Sequence, residues 1–325
     1  MQQILLRFVY IRFPDVCILI PELGYPVLHH FKTIFIYYPG MEQMEKAALY
    51  RMIEISKDEE IEKTISILCS QGYYSVLLRD CVEGDERVFG RRPDDFNEGT
   101  LIFRCPDSSR TMPFEPFSSA DRWLVAFRSD LFGCSMLRGL LSECSFFSYY
   151  KNEALHLSLH ERMSIVGCMN DIYNEMQRPA DSYSQMLLAK YVGCLLDYGR
   201  RFYDRQFYTR FTMNERLLAQ YHSMLDQYIE AGKLQAEGIP SVAYCAEKLS
   251  LSPCYFEDLI KHESGRLPEF CIQLKRIEAA KYRLRCSDIP MNRIAEDLGF
   301  PSFHYFSVLF KKITGLTPGA YRMMN

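Results

Sequence analysis

Over the last hundred residues, apolar positions return every three or four places and the runs stop at glycine or proline, which is the period of amphipathic helices. Val242, Cys245, Ala246 and Leu249 form one stripe behind a Ser241 cap. Phe256, Leu259 and Ile260 form the next behind Ser252, with Pro253 at the first helical position, where a missing N–H does no harm. Residues 268–285 are predicted as a longer helix with Phe270, Leu274, Ile277, Ala280 and Leu284 on one face. Residues 292–298 follow, Gly299 supplies a tight turn, and Ser302 caps a last helix with Phe306, Leu309 and Phe310 inward. A further helix over 217–229 opens this C-terminal domain.

Upstream the texture is different. Short apolar runs at 73–78, 100–103 and 123–127 are separated by Glu83-Gly84-Asp85, Glu98-Gly99, Pro106, Pro113 and Pro116. Such spacing predicts a small barrel or sandwich. Two helices then follow, one over 157–176 behind a Ser158 cap and before Pro179, the other over 185–203. The second carries Leu188, Tyr191, Val192, Leu195, Leu196 and Tyr198 toward a core or a partner. Residues 31–38 read as a strand and 41–67 as helix-prone, with Glu42, Glu45, Lys46 and Arg51 at surface spacings. The first forty residues fit no recognisable unit, and Met41 and Met44 are candidate alternative starts. The expected fold class is therefore α+β, strands then helices, followed by an all-α domain. The expected domain boundaries are 1–70 (unassigned), 71–210 (strands then helices) and 211–325 (helices).

The C-terminal helices contain a repeat. Ala246-Glu247-x-Leu249 returns as Ala295-Glu296-x-Leu298. Ser252, Tyr255-Phe256, Leu259, Lys261, Gly265 and Pro268 return as Ser302, Tyr305-Phe306, Leu309, Lys311, Gly315 and Pro318, one residue out of step at Pro301. One supersecondary unit has thus been built twice, and each copy has the size of a helix-turn-helix. The helix over 268–285, about 25 Å long, joins them. Major-groove faces recur every ~34 Å, so the two copies can address neighbouring turns of a somewhat bent duplex.

The 325 residues carry a net charge of −3, which does not mark the whole molecule as a nucleic-acid binder. From Gly265 onward, however, Arg266, Lys275, Arg276, Lys281, Arg283, Arg285, Arg293, Lys311, Lys312 and Arg322 stand against Glu269, Glu278, Asp288, Glu296 and Asp297. A local basic surface suits a modular DNA reader. None of the twelve cysteines forms Cys-x-x-Cys; Cys168, Cys194, Cys245 and Cys271 sit in apolar runs and read as small buried hydrophobes of a reduced cytoplasm. Arg7, Arg12, Pro14 and Asp15 interrupt the apolar start, and neither a signal peptide nor a membrane span is expected.

Residues 241–322 resemble the DNA-binding domain of the AraC/XylS family of bacterial transcription regulators. The resemblance rests on Ala246-Glu247, Leu251-Ser252, Arg276-Ile277, Ala280, Ile294-Ala295, Leu298-Gly299-Phe300, Tyr305-Phe306, Phe310-Lys311-Lys312, Gly315-x-Thr317-Pro318 and Tyr321-Arg322. It implies two helix-turn-helix units reading successive major grooves behind an N-terminal effector or dimerisation domain. Residues 73–210 are similar to the sensor halves of that family, which implies a small cupin-like barrel followed by paired helices. In the family, base-reading helices often carry Arg or Gln where this chain has Glu257-Asp258 and Val308. Valine touches a thymine methyl at most, and acidic groups repel phosphate or accept from cytosine N4. The first unit is therefore expected to contribute less affinity than the second.

The candidate DNA-contacting residues are Ser252, Cys254, Tyr255, Glu257, Asp258, Arg276, Ser302, Phe303, His304, Ser307, Val308, Lys311 and Lys312. Arg276, Lys311, Lys312 and the helix N-termini at Ser252 and Ser302 are assigned to phosphate. His304 is the leading base-edge reader, against the plainer reading of a solvent-facing side chain. Phe256 and Phe306 read as core rather than as base-stacking rings. Cys254 reads as a surface thiol within reach of a base.

Other constellations are weaker. His156 and His160 have the spacing of zinc ligands on a helix but lack a third ligand. Ser135, in Gly133-Cys134-Ser135-Met136, lacks the second glycine of a nucleophile elbow.

The expected function is a sequence-specific DNA-binding regulator, an activator, with no enzymatic role, cofactor or metal. The expected partners are double-stranded DNA, a second copy of the chain, a small-molecule effector and RNA polymerase. One rival is an effector-independent regulator whose N-terminal half only mediates dimer or protein contacts. A cupin-like enzyme fused to a DNA-binding domain is the other, and residues 73–127 contain no histidine to support it.

Overall fold

The computed structural model of the chain describes residues 7–13, 16–22, 32–36, 50–55, 65, 68–81, 89–106, 122–132, 136–178 and 183–324. The chain divides into two compact units, Met1–Thr209 and Arg210–Asn325.

In the first unit, β1 (Arg7–Phe13) and β2 (Val16–Glu22) pair as an antiparallel ribbon with Arg7 opposite Glu22. The remaining strands are β3 (Lys32–Ile36), β4 (Tyr50–Ile55), β5 (Tyr74–Arg79), β6 (Gly99–Arg104), β7 (Arg122–Phe127) and β8 (Leu155–Leu157). They form one antiparallel sheet in the order β3-β4-β7-β5-β6-β8. The strands expected at 31–38, 73–78, 100–103 and 123–127 are all present. The small barrel is not: among the described strands the sheet is open, with β3 and β8 at its edges. The helix expected over 41–67 gives way to β4, whose pairing with β7 depends on residues some seventy positions away. The turn at 83–85, the prolines at 113 and 116, and the Ser135 segment lie outside the described residues.

The central strands β5, β6 and β7 are packed on both faces, as their alternating pattern requires. Val76, Leu78, Leu101, Phe103, Val125 and Phe127 pack on α1 (Leu159–Gln177) and α2 (Ser184–Thr209), meeting Ile165, Met169, Leu188, Val192, Leu195 and Phe202. Leu77, Ile102, Leu124 and Ala126 pack on the other side with Ile65, Leu68 and Phe89. Ser158 caps α1 in a capping box with Glu161. Leu188, Val192, Leu195 and Leu196 of α2 are spent on this core, while Tyr191 and Tyr198 stay half-buried beside it.

The outer edge of β8 is closed by side chains of α2 rather than by another strand. Gln206 Oε1 accepts from the His156 backbone N–H at 2.8 Å, and Arg205 donates to the His156 carbonyl at 2.7 Å. Arg205 is itself held by Glu161 at 2.8 Å. This removes an exposed pairing edge. His156 is buried on β8 and His160 is on α1, so the two do not share the helix face that zinc spacing presupposes.

The second unit is helical: α3 (Phe211–Glu230), α4 (Lys233–Ala236), α5 (Val242–Lys248), α6 (Pro253–Ser264), α7 (Pro268–Cys286), α8 (Met291–Asp297), α9 (Phe303–Thr314) and α10 (Pro318–Met323). Among the described residues, no helix is long and apolar enough to cross a membrane.

Candidate nucleic-acid interface

Two helix-turn-helix units, α5–α6 and α8–α9, are built by the same local rules. Ser252 and Ser302 cap α6 and α9, each hydroxyl accepting from the backbone N–H three residues on (Tyr255, 3.2 Å; Tyr305, 3.1 Å). Gly265 and Gly315, both left-handed, end those helices by donating to Lys261 and Lys311. The connecting turns match as well. Leu251 N–H donates to the Ala246 carbonyl and Phe300 N–H to the Ala295 carbonyl, each at 2.9 Å. Ser250 and Gly299 are the left-handed residues of these turns, at φ 57° and 71°. Only glycine fits the second position, because a Cβ there would lie 2.7 Å from the Leu234 carbonyl oxygen.

The two reading helices differ in what they expose. On α9, Phe303, His304, Tyr305, Val308, Lys311 and Lys312 are exposed and Ser307 is half-buried, while Phe306 and Phe310 face inward. Val308 is 56% exposed and Tyr305 47%. On α6, Tyr255 is 4% exposed, and its hydroxyl accepts from Arg210 at 3.3 Å. Tyr255 is therefore a core residue rather than a groove contact. Ser252 is also fully buried, its hydroxyl committed to the cap. Cys254, Glu257 and Asp258 are half-buried on the outer side of α6. Burial raises the Glu257 carboxyl above its ordinary range, and the negative charges of Glu269 and Asp258 add to the effect.

Arg276 is not a phosphate anchor either. It lies fully buried in α7, donates from Nε to the Leu298 carbonyl at 2.9 Å and from Nη1 to Gln273 at 2.7 Å. Its guanidinium sits 3.8 Å from the centre of the Phe300 ring. Burial lowers its pKa to about 10. It organises the second unit from within and does not reach a phosphate.

Several other cations are engaged too: Lys275 with Asp226, Arg283 with Asp297, and Arg293 with Glu296 and Asp297. Lys311, Lys312, Lys281 and Arg285 have no ion pair among the described residues. The last two, a turn apart on α7, were missing from the sequence-based set. Their register beside the stripe of Ile277, Ala280 and Leu284, at its solvent margin, was the signal that could have found them.

Tandem helix-turn-helix units with an exposed, cationic second recognition helix define the class: a DNA-binding domain. Residues 245–324 match a family described as a helix-turn-helix domain. The uncharacterized HTH-type transcriptional regulator YobQ of Bacillus subtilis is 32% identical over 112 residues, which are 30% of this chain and 46% of that protein. The MmsAB operon regulatory protein of Pseudomonas aeruginosa is 34% identical over 102 residues, 31% of each chain. The C-terminal domain of AraT, a response regulator from Geobacillus stearothermophilus, is 28% identical with a TM-score of 0.29, covering 34% of this chain and 85% of that one. The chain thus spans less than half the length of the two curated relatives it matches here. The C-terminal unit thus carries a helix-turn-helix domain similar to those of proteins described as transcriptional regulators.

Proposed function

We propose that the chain is a sequence-specific DNA-binding transcription regulator, an activator, in which the second helix-turn-helix supplies most of the affinity. The observation that carries this reading is the contrast between α9 and α6. The first bares Phe303, His304, Tyr305, Val308 and two lysines, while the second is acidic and has its tyrosine buried. In the groove, His304 and Ser307 read base edges, and Val308 packs on a thymine methyl. Lys311 and Lys312 neutralise phosphate, and the Ser302 N-terminus of α9 faces it. Cys254, Glu257 and Asp258 contribute selectivity against neighbouring bases rather than affinity.

The first unit serves as a sensing or dimerisation module, and pairing of two chains multiplies affinity through effective concentration. A gel-shift on the DNA upstream of the chain's own gene, against unrelated DNA at raised salt, tests the reading. Equal binding to both overturns it.

A second reading keeps the DNA-binding half and gives the first unit no small-molecule effector, only dimer or protein contacts. The faces of β5, β6 and β7, both packed by side chains, favour it. Thermal shifts across a metabolite panel separate the two readings, since a ligand of the folded state raises the midpoint.

A further inference from the structure

Cys168 on α1 and Cys194 on α2 were both expected to be buried single cysteines; instead they meet across the helix pair. Their sulfurs lie 3.7 Å apart, the Cys168 S–H directed at Cys194. Cys168 is buried and Cys194 is exposed, so one thiol is open to solvent reagents while the other waits behind it. Around them Ile165, Met169, Val192, Leu195 and Leu196 are fully packed, which holds the two helices and keeps the sulfurs in register. To reach the ~2.04 Å of a disulfide the sulfurs must close by about 1.7 Å.

We propose that Cys168 and Cys194 form a thiol modification site, in which a hydroperoxide oxidises Cys194 and Cys168 then closes a disulfide between α1 and α2. In the first step the Cys194 thiolate attacks the peroxide, the O–O bond breaks, and Cys194 becomes a sulfenic acid as water or an alcohol leaves. In the second the Cys168 sulfur attacks the Cys194 sulfur, the S–O bond breaks, and the departing hydroxide takes the Cys168 proton as water. Two electrons pass from the thiols to the peroxide.

Burial pushes the Cys168 thiol up to about 12, so its thiolate is scarce at neutral pH. That scarcity is countered by proximity, since the second step is intramolecular between neighbours already in contact. The same burial makes Cys168 a poor first target and leaves the exposed Cys194 to react first. Cys286, exposed at the end of α7, serves as an internal reference.

The full chain is treated with near-stoichiometric hydrogen peroxide, alkylated, digested and mapped by mass. The expected result is a cross-linked Cys168–Cys194 peptide and loss of maleimide uptake at Cys194, restored by dithiothreitol. In Cys168→Ser, dimedone instead traps the sulfenic acid at Cys194. Equal dimedone trapping at Cys194 in the parent and in Cys168→Ser overturns the proposal. So does linkage of Cys194 to any other cysteine, or a Cys194 left intact while Cys286 is oxidised. The readouts do not involve DNA, so failure here is distinct from failure of the regulatory reading.

Discussion

Arg276 reaches from α7 to the backbone of Leu298, its Nε donating to that carbonyl at 2.9 Å beneath the Phe300 ring. The bond ties the linker helix to the turn of the second helix-turn-helix, and so sets where α9 is presented. Removing it with Arg276→Ala leaves a buried carbonyl without its donor and deletes the cation–ring contact, a combined loss of about 3 kcal/mol. Arg276→Met keeps the volume and sheds the burial cost of the charge, so it loses less. Urea unfolding of the chain measures both. In DNA titrations at several salt concentrations, folded Arg276→Met keeps the parental salt slope, because the guanidinium does not touch phosphate.

Lys311 and Lys312 behave in the opposite way. Each alanine substitution leaves the thermal midpoint in place, because both side chains are exposed. Each lowers the slope of log affinity against log salt by about 1. A slope unchanged in the double variant removes α9 from the interface.

Glu257 gives a pH prediction. Its folded-state carboxyl is raised, chiefly by burial, so the native state holds that proton more tightly than the unfolded chain does. Its effect on stability is therefore most favourable at low pH and is lost as pH rises from the ordinary carboxylate range through the raised value. Glu257→Gln flattens that part of the stability–pH curve. It also strengthens DNA binding by roughly two- to five-fold near 0.1 M salt, a gain that fades as salt screens the surface.

The paired turn residues respond differently to substitution. Gly299→Ala places a Cβ against the Leu234 carbonyl and holds alanine at positive φ, and is expected to lose about 2 kcal/mol or more. At the matching position Ser250→Gly relieves left-handed strain of about 1 kcal/mol but loosens the unfolded chain by a similar amount. It should therefore fall within about 0.5 kcal/mol of the parent. Chemical denaturation of both variants checks the contrast.

The helix starts and stops of the second unit were legible because they are set locally, by Ser241, Ser252, Ser302, Gly265, Gly299 and Gly315 acting on the backbone within a few residues. The fate of the tyrosines was not. Tyr255 and Tyr305 occupy the same repeat position, yet Arg210, far upstream at the start of α3, covers the first and leaves the second in solvent. Arg276 misled for the same reason: arginine in a basic stretch reads as a phosphate anchor until a distant ring and carbonyl are found around it. β4 failed because strand pairing is non-local, and the charges at 42–51 mimic a helix surface. Cys194 failed because one step around α2 separates the packed side from solvent.

The α7 helix belongs to both repeats. Its first half buries Cys271 and Ile272, and its start accepts a hydrogen bond from Tyr221 into the Pro268 carbonyl. Its second half places Ile277, Ala280 and Leu284 under Phe306 and Phe310. The same rod is thus the closing stave of one repeat and the foundation of the next. Neither reading head can be excised as a free-standing miniature, and a break in mid-rod would disable both at once.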